Sequence, residues 1–187
     1  MTAAVALADP VPTIAIQPLG HVKMEDIARV QAGISALYAV KVEVLPAHPL
    51  PIAAYYRPRD RYKADKLLDS LGLGLHERFT KIVGLTARDI STRKEEFEDW
   101  GIFGLGQLGG RACVISTFRL RAGKATDSVF QARLVKVINH EIGHTFGLDH
   151  CPVVGCLMQD AGGKIATVDG ESGKPCAECA IKLPTVK

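Results

Sequence analysis

Apolar positions change period several times along the chain, and each change predicts an element. Thr13 to Leu19 alternates isoleucine with smaller residues, the period of two of a strand, and should end near Pro18. Met24 to Tyr38 places Ile27, Val30, Ile34 and Leu37 at helical spacing. Val40 to Leu45 alternates again as a second strand, and the proline-rich Pro46 to Pro58 predicts an extended connection. Asp60 to Leu71 reads as a helix capped by Asp60, with Tyr62, Leu67, Leu68 and Leu71 on its apolar face. Lys81 to Thr86 is a short buried strand. Strands alternating with helices imply an α/β domain with a mostly parallel sheet.

The second half changes character. Trp100 to Gly110 holds five glycines in eleven residues, without the Gly-Lys-Ser/Thr ending of a phosphate-binding loop. Arg111 to Phe118 then reads as a strand joined through Gly109-Gly110 in a hairpin, which predicts an antiparallel strand at the sheet edge. Cys113 within it is expected as a buried apolar residue between outward-facing Ala112 and Val114. Ser128 is expected to cap a long helix whose Leu134, Val135, Val137 and Ile138 face the sheet.

Length and charge narrow the picture. The 187 residues fit one domain, and a net charge of +3 argues against nucleic-acid binding as the main task. Met1 to Pro12 is small, apolar and proline-broken, and is expected to be disordered. Ala6-Leu7-Ala8 resembles a cleavage site, but no basic residue precedes it and the apolar run is short. With no segment of transmembrane length, a cytoplasmic protein without membrane contact is expected. Arg57, Arg59, Arg61, Lys63 and Lys66 read as the solvated face of a helix, and Lys94 to Asp99 as a surface segment. His21, His48 and His76 lack partners at ligand spacing.

The chemistry gathers in His140 to Met158, HEIGHTFGLDHCPVVGCLM. His140 and His144, four apart, stack on one helical face about 6 Å apart along the axis, so both imidazoles can reach one zinc, with Glu141 beside the first. His150 lies six residues further on and would leave that face if the helix continued. Gly147 can end the helix and turn the chain back, because glycine accepts the positive φ such a reversal needs. The third imidazole then returns to the same metal and leaves a fourth position open, as in a catalytic zinc site. Cys151, Cys156, Cys176 and Cys179 follow as two pairs, with four and two intervening residues, a spacing suited to a closed four-thiolate zinc. Two disulfides, or redox use of Cys176-Cys179, are the competing readings. Strain in a Cys-x-x-Cys bridge, the absence of a convincing export signal and the missing strand–helix context speak against them.

The run His140-Glu141-x-x-His144-x-x-Gly147-x-x-His150-Cys151, followed by Cys156, Met158, Cys176 and Cys179, resembles the archaemetzincin family at every fixed position. The resemblance implies a metzincin-like zinc metallopeptidase of α/β fold, acting on a peptide or protein substrate and carrying two zinc ions per chain, within a domain spanning residues 13–187. It implies His140, His144 and His150 as ligands of the catalytic zinc, Glu141 as general base, and Cys151, Cys156, Cys176 and Cys179 as ligands of a structural zinc that staples the C-terminal part. Met158 resembles the methionine of a tight turn beneath the catalytic metal. Some better-known metzincins place a tyrosine two residues later; here that position is Asp160, and no tyrosine role is carried over. A peptide-binding protein that keeps only the structural zinc is the alternative, against which the intact Glu141 argues.

Overall fold

The computed structural model describes residues 11–184, so the expectation of disorder for Met1 to Pro12 lies almost wholly outside the described residues. Strand β1 (Thr13–Leu19) leads into helix α1 (Met24–Leu37) and strand β2 (Lys41–Val44). Short strands β3 (Tyr55–Tyr56) and β4 (Arg61–Lys63) precede helix α2 (Ala64–Leu73) and strand β5 (Lys81–Thr86). Strands β6 (Ile90–Lys94), β7 (Phe97–Ile102), β8 (Gly104–Gly106) and β9 (Ala112–Ser116) lead to the long helix α3 (Asp127–Thr145) and two short helices, α4 (Ile165–Gly170) and α5 (Ala177–Ala180).

The main sheet has the order β2-β1-β5-β9-β8, with four parallel strands and β8 antiparallel at one edge. Alternation in β1 sends Ile14 and Ile16 to the face covered by α1 and α3, and Ala15 to the face covered by α2. Cys113 and Ile115 join the first core, Ala112 and Val114 the second. Cys113 is therefore buried as expected. Ala112 and Val114 are not outward, because α2 covers the face they point to.

The edge assignment also changes. β9 is paired on both sides, parallel to β5 and antiparallel to β8, so Arg111 to Phe118 is interior and the antiparallel edge is Gly104–Gly106. The hairpin through Gly109-Gly110 is present, but its edge member is the strand before the turn: three residues with two glycines carry little strand propensity, so the edge was read onto the wrong arm.

Two other local readings give way to distant partners. Asp60 does not cap a helix: it sits at φ 50°, the following residues form β4, and α2 starts at Ala64. Arg61 pairs with Asp89 at 2.8 Å and Asp99 at 2.9 Å, while Lys63 reaches Asp99 at 3.5 Å. These two cations fasten a second sheet, β3-β4-β6-β7, rather than coat a solvated helix. Lys94 to Asp99 lies in the β6–β7 hairpin of that sheet.

Helix α3 carries the chemistry and is anchored throughout its length. Val135 packs on Gly33 of α1, and the buried Tyr38 hydroxyl donates to the Asn139 carbonyl at 2.8 Å, next to His140. Lys81 donates to the carbonyls of Thr145 and Gly110 at 2.6 and 2.7 Å, placing a cation at the negative end of the helix dipole. Among the described residues no helix is long and apolar enough to cross a membrane.

The cap of α3 is Thr126 rather than Ser128: its side chain accepts from the Val129 amide at 3.3 Å, and the Ser128 hydroxyl bonds only the Thr126 hydroxyl. Thr126→Ala should lower stability by about 1 kcal/mol, and Ser128→Ala by distinctly less, in denaturant unfolding of the metal-loaded protein. An equal or larger loss in Ser128→Ala contradicts this cap.

Candidate metal centre and its cleft

The last turns of α3 bring His140 and His144 together, with their Nε2 atoms 3.0 Å apart. The helix stops by the device expected of Gly147, which has φ 89°. The Gly147 amide bonds the His144 carbonyl at 2.9 Å and the Leu148 amide the Gly143 carbonyl at 3.2 Å, the two reverse bonds of a Schellman end. The chain doubles back and delivers His150, whose ring centroid lies 5.4 Å from that of His140 and 4.9 Å from that of His144. One ring nitrogen from each histidine falls within 4.8 Å of the others, a separation that lets all three face one cation.

The rings are oriented from behind. His140 Nδ1 lies 2.7 Å from the Leu157 carbonyl and His144 Nδ1 2.7 Å from the Leu148 carbonyl. Each carbonyl needs an N–H donor, so it fixes the tautomer and leaves the Nε2 lone pair for a metal. Burial holds His140 down to about 4, assisted by its histidine neighbours, and burial also lowers His144. Both rings are thus neutral near pH 7, the form that ligates metal.

Glu141 lies on the same face, 8 % exposed. Burial raises its carboxyl to about 8, opposed by a hydrogen bond from the Gly106 amide on β8. The contact explains the glycines that were unreadable as a pattern. A Cβ on Gly104 would lie 2.8 Å from Glu141 Oε1, and one on Gly106 would lie 2.5 Å from the Glu141 carbonyl oxygen. Only a strand without side chains at these positions can lie so close to the helix.

The cysteines gather beside this group. One sulfur from each of Cys151, Cys156, Cys176 and Cys179 lies within 4.8 Å of the others, and all five cysteines of the chain are free thiols. Cys156 Sγ accepts from the amides of Cys176 at 3.3 Å and Met158 at 3.4 Å. The Cys179 amide foremost holds the Cys176 thiol down to about 7. Amide donors aimed at sulfur stabilise a thiolate, while burial pushes the Cys156 and Cys179 thiols up; deprotonated by a bound metal, the four convergent sulfurs suit a closed tetrahedral zinc.

Met158 is fully buried against Gly143, which lies between the first two histidines and directly precedes His144. A Cβ on Gly143 would sit 2.5 Å from the Met158 sulfur. Sequence reasoning missed this glycine, although a glycine inside a helix costs about 1 kcal/mol relative to alanine and so signals a packing demand. Asp160 has its carboxylate held by the Gly162 amide at 2.7 Å and stands 4.0 Å from His150 Nε2. A cleft of about 380 Å³ opens over the histidines, walled by β7, β8 and the segment after Met158. At its far end lies Glu171, 7 % exposed, which sequence reasoning also missed.

A family model described as peptidase family M54 matches residues 22–185. The chain belongs to peptidase family M54. It is 31 % identical over 172 residues to the archaemetzincin of Haloquadratum walsbyi, covering 88 % of this chain and 95 % of that one. The crystal structure of archaemetzincin from Methanopyrus kandleri superposes with a TM-score of 0.79 at 29 % identity, covering 95 % of this chain and 96 % of the other. That of the Archaeoglobus fulgidus archaemetzincin, complexed with malonate, gives 0.77 at 31 % identity and covers 91 % and 99 %. As a member of this archaemetzincin family the protein is a zinc metallopeptidase, and its three-histidine and four-cysteine groups fit a catalytic and a structural zinc.

The Gly143–Met158 contact should behave as a space constraint. Gly143→Ala is expected to cost about 1–3 kcal/mol through overpacking and to lower metal content at the histidines. The double variant Gly143→Ala/Met158→Ala should lose less stability than the two single losses combined, as neighbours sharing one volume do. Strict additivity in denaturant unfolding contradicts the contact.

Proposed function

We propose that the protein hydrolyses peptide bonds, with His140, His144 and His150 as ligands of the catalytic zinc. Glu141 serves as the general base, and Cys151, Cys156, Cys176 and Cys179 bind the structural zinc. The observation that carries this reading is the Glu141 carboxylate, buried beside three convergent imidazoles and oriented by the Gly106 amide without being one of the convergent group. When bound, zinc supplies Lewis acidity, which polarises a carbonyl and makes water a nucleophile near neutral pH.

The chain's own residues do the rest. Glu141 takes a proton from the attacking water on a carboxylate oxygen and returns it to the leaving amine. A carboxyl raised by burial is well matched to that exchange near neutrality, and a cation held by the histidines would draw it back towards the ionised form. Leu157 and Leu148 carbonyls keep the imidazoles turned to the cleft.

Strand β8 is the place for the substrate backbone. The Phe103 carbonyl accepts from the Ser116 amide and the Gln107 amide donates to the Ala112 carbonyl, both on the β9 side. Antiparallel alternation then turns the peptide groups of Gly104 and the carbonyl of Gly106 to the open side, where an extended peptide can add as a further strand, while the Gly106 amide serves Glu141. Pairing through main chain aligns the scissile bond while tolerating varied side chains.

Protein purified without chelator should contain close to two zincs per chain by elemental analysis. Glu141→Ala should retain both, because Glu141 is not a ligand, while peptide hydrolysis falls about 10²–10⁴-fold. Wild-type turnover in a metal-replete Glu141→Ala protein contradicts the assignment of the base.

A further inference from the structure

The cleft extends past the histidines to a carboxylate that the hydrolysis step does not use. Val137 precedes His140 and Glu141 by three and four residues, so it shares their face of α3 and continues the cleft wall by one turn. Val168 of α4 lines the same end, and Glu171 follows it just beyond the helix. Val137 is 5 % exposed, Val168 4 % and Glu171 7 %, so the recess has apolar walls and a carboxyl inside it.

That carboxyl has no hydrogen-bond partner among the described residues. Lys136, whose charge is felt there, donates instead to the carbonyls of Val168 and Asp169 at 2.8 and 3.0 Å. The Glu171 oxygens open only to the cleft, and a carboxylate set this deep between apolar walls keeps little hydration, which a cationic group entering the cleft would replace.

The position is also firmly built. Arg133 of α3, itself buried, grips Asp169 through two bonds of 2.7 and 2.8 Å and so fixes α4 against α3. The Glu171 amide bonds the Thr167 carbonyl at 3.1 Å. Ser172 bonds the Gly155 carbonyl through both amide and hydroxyl, at 2.9 and 2.8 Å, tying the segment to the cysteine loop. A carboxylate on a firmly held backbone between apolar walls matches a long cationic side chain, with its methylenes on the valines and its charge on the acid.

We propose that Glu171 determines specificity by receiving the cationic end of a substrate lysine or arginine that flanks the scissile bond. The proposal rests on the peptidase reading above and adds the class of peptide the enzyme prefers. A peptide's free α-ammonium offers the same charge without the stem, so the test separates the two.

Peptides that differ only by lysine or norleucine, on either side of one scissile bond, would be compared with the zinc-loaded protein, each with an acetylated and with a free N-terminus. At one of the two positions lysine should raise kcat/KM at least about tenfold over norleucine. Glu171→Gln, which keeps shape and removes charge, should bring that ratio to about one, and Glu171→Asp should keep its sign. The same peptides would be titrated calorimetrically into the Glu141→Ala protein. Lysine peptides should bind about tenfold more tightly, and the difference should vanish in Glu141→Ala/Glu171→Gln.

If no peptide is cleaved yet this binding difference holds, the peptidase reading fails and the cation-binding recess stands. Equal handling of lysine and norleucine in both assays overturns the proposal. A lysine preference that survives Glu171→Gln, or a preference seen only in peptides with a free N-terminus, overturns it as well.

Discussion

One short closed loop holds the functional half of this protein together. The Cys151 amide donates to the Met158 carbonyl at 2.8 Å, so the segment between them begins beside one metal group and ends beneath the other. Cys151 is covalently joined to His150, Cys156 stands two residues before Met158, and Leu157 between them orients His140. A thiolate cluster that fixes Cys151 and Cys156 therefore also fixes the third histidine, the carbonyl behind the first, and the methionine packed on Gly143. Few protein contacts can set several atoms to such tolerance on a segment with no regular structure, and a closed metal site can.

On the other side of α3 the constraint is steric. Gly104 and Gly106 let β8 touch the helix where Glu141 lies, burying its carboxyl and aiming an amide at it. Burial and hydrogen bonding oppose each other there, and burial prevails, raising the carboxyl to about 8. The same close approach leaves the outer groups of β8 open along the cleft. A buried acid, converging histidines and an open strand edge thus all follow from glycines in β8, the glycine within α3 and the glycine that ends α3.

Much of this was legible in the sequence because its causes are local. The alternation of Ile14, Ala15 and Ile16 records a sheet with helices on both faces. The spacing of His140, His144, Gly147 and His150 records a helix and its end. What was not legible depends on distant partners. β4 exists because Arg61 and Lys63 meet Asp89 and Asp99, which are far along the chain, so its three residues read locally as part of a helix. β8 was hidden because glycine signals a turn, whereas here it answers to Glu141, thirty-five or more residues later. Ser128 and Thr126 are equally good caps by chemistry, and only the backbone geometry selects Thr126. Glu171 carries no pattern of its own and becomes noticeable only when the fold sets it into the cleft beside Val137 and Val168.

The central claim is that the four-cysteine group sets the metal affinity of the three histidines, although it contributes no ligand to them. The most direct measurement is cobalt(II) titration of the histidine site, read by its visible absorption, in wild type and in Cys176→Ser/Cys179→Ser. Disturbing groups that orient metal ligands typically weakens binding about 10–100-fold, and a loss of that size is expected in a variant that retains its helical circular dichroism. An unchanged cobalt affinity at the histidines of that folded variant would contradict the account.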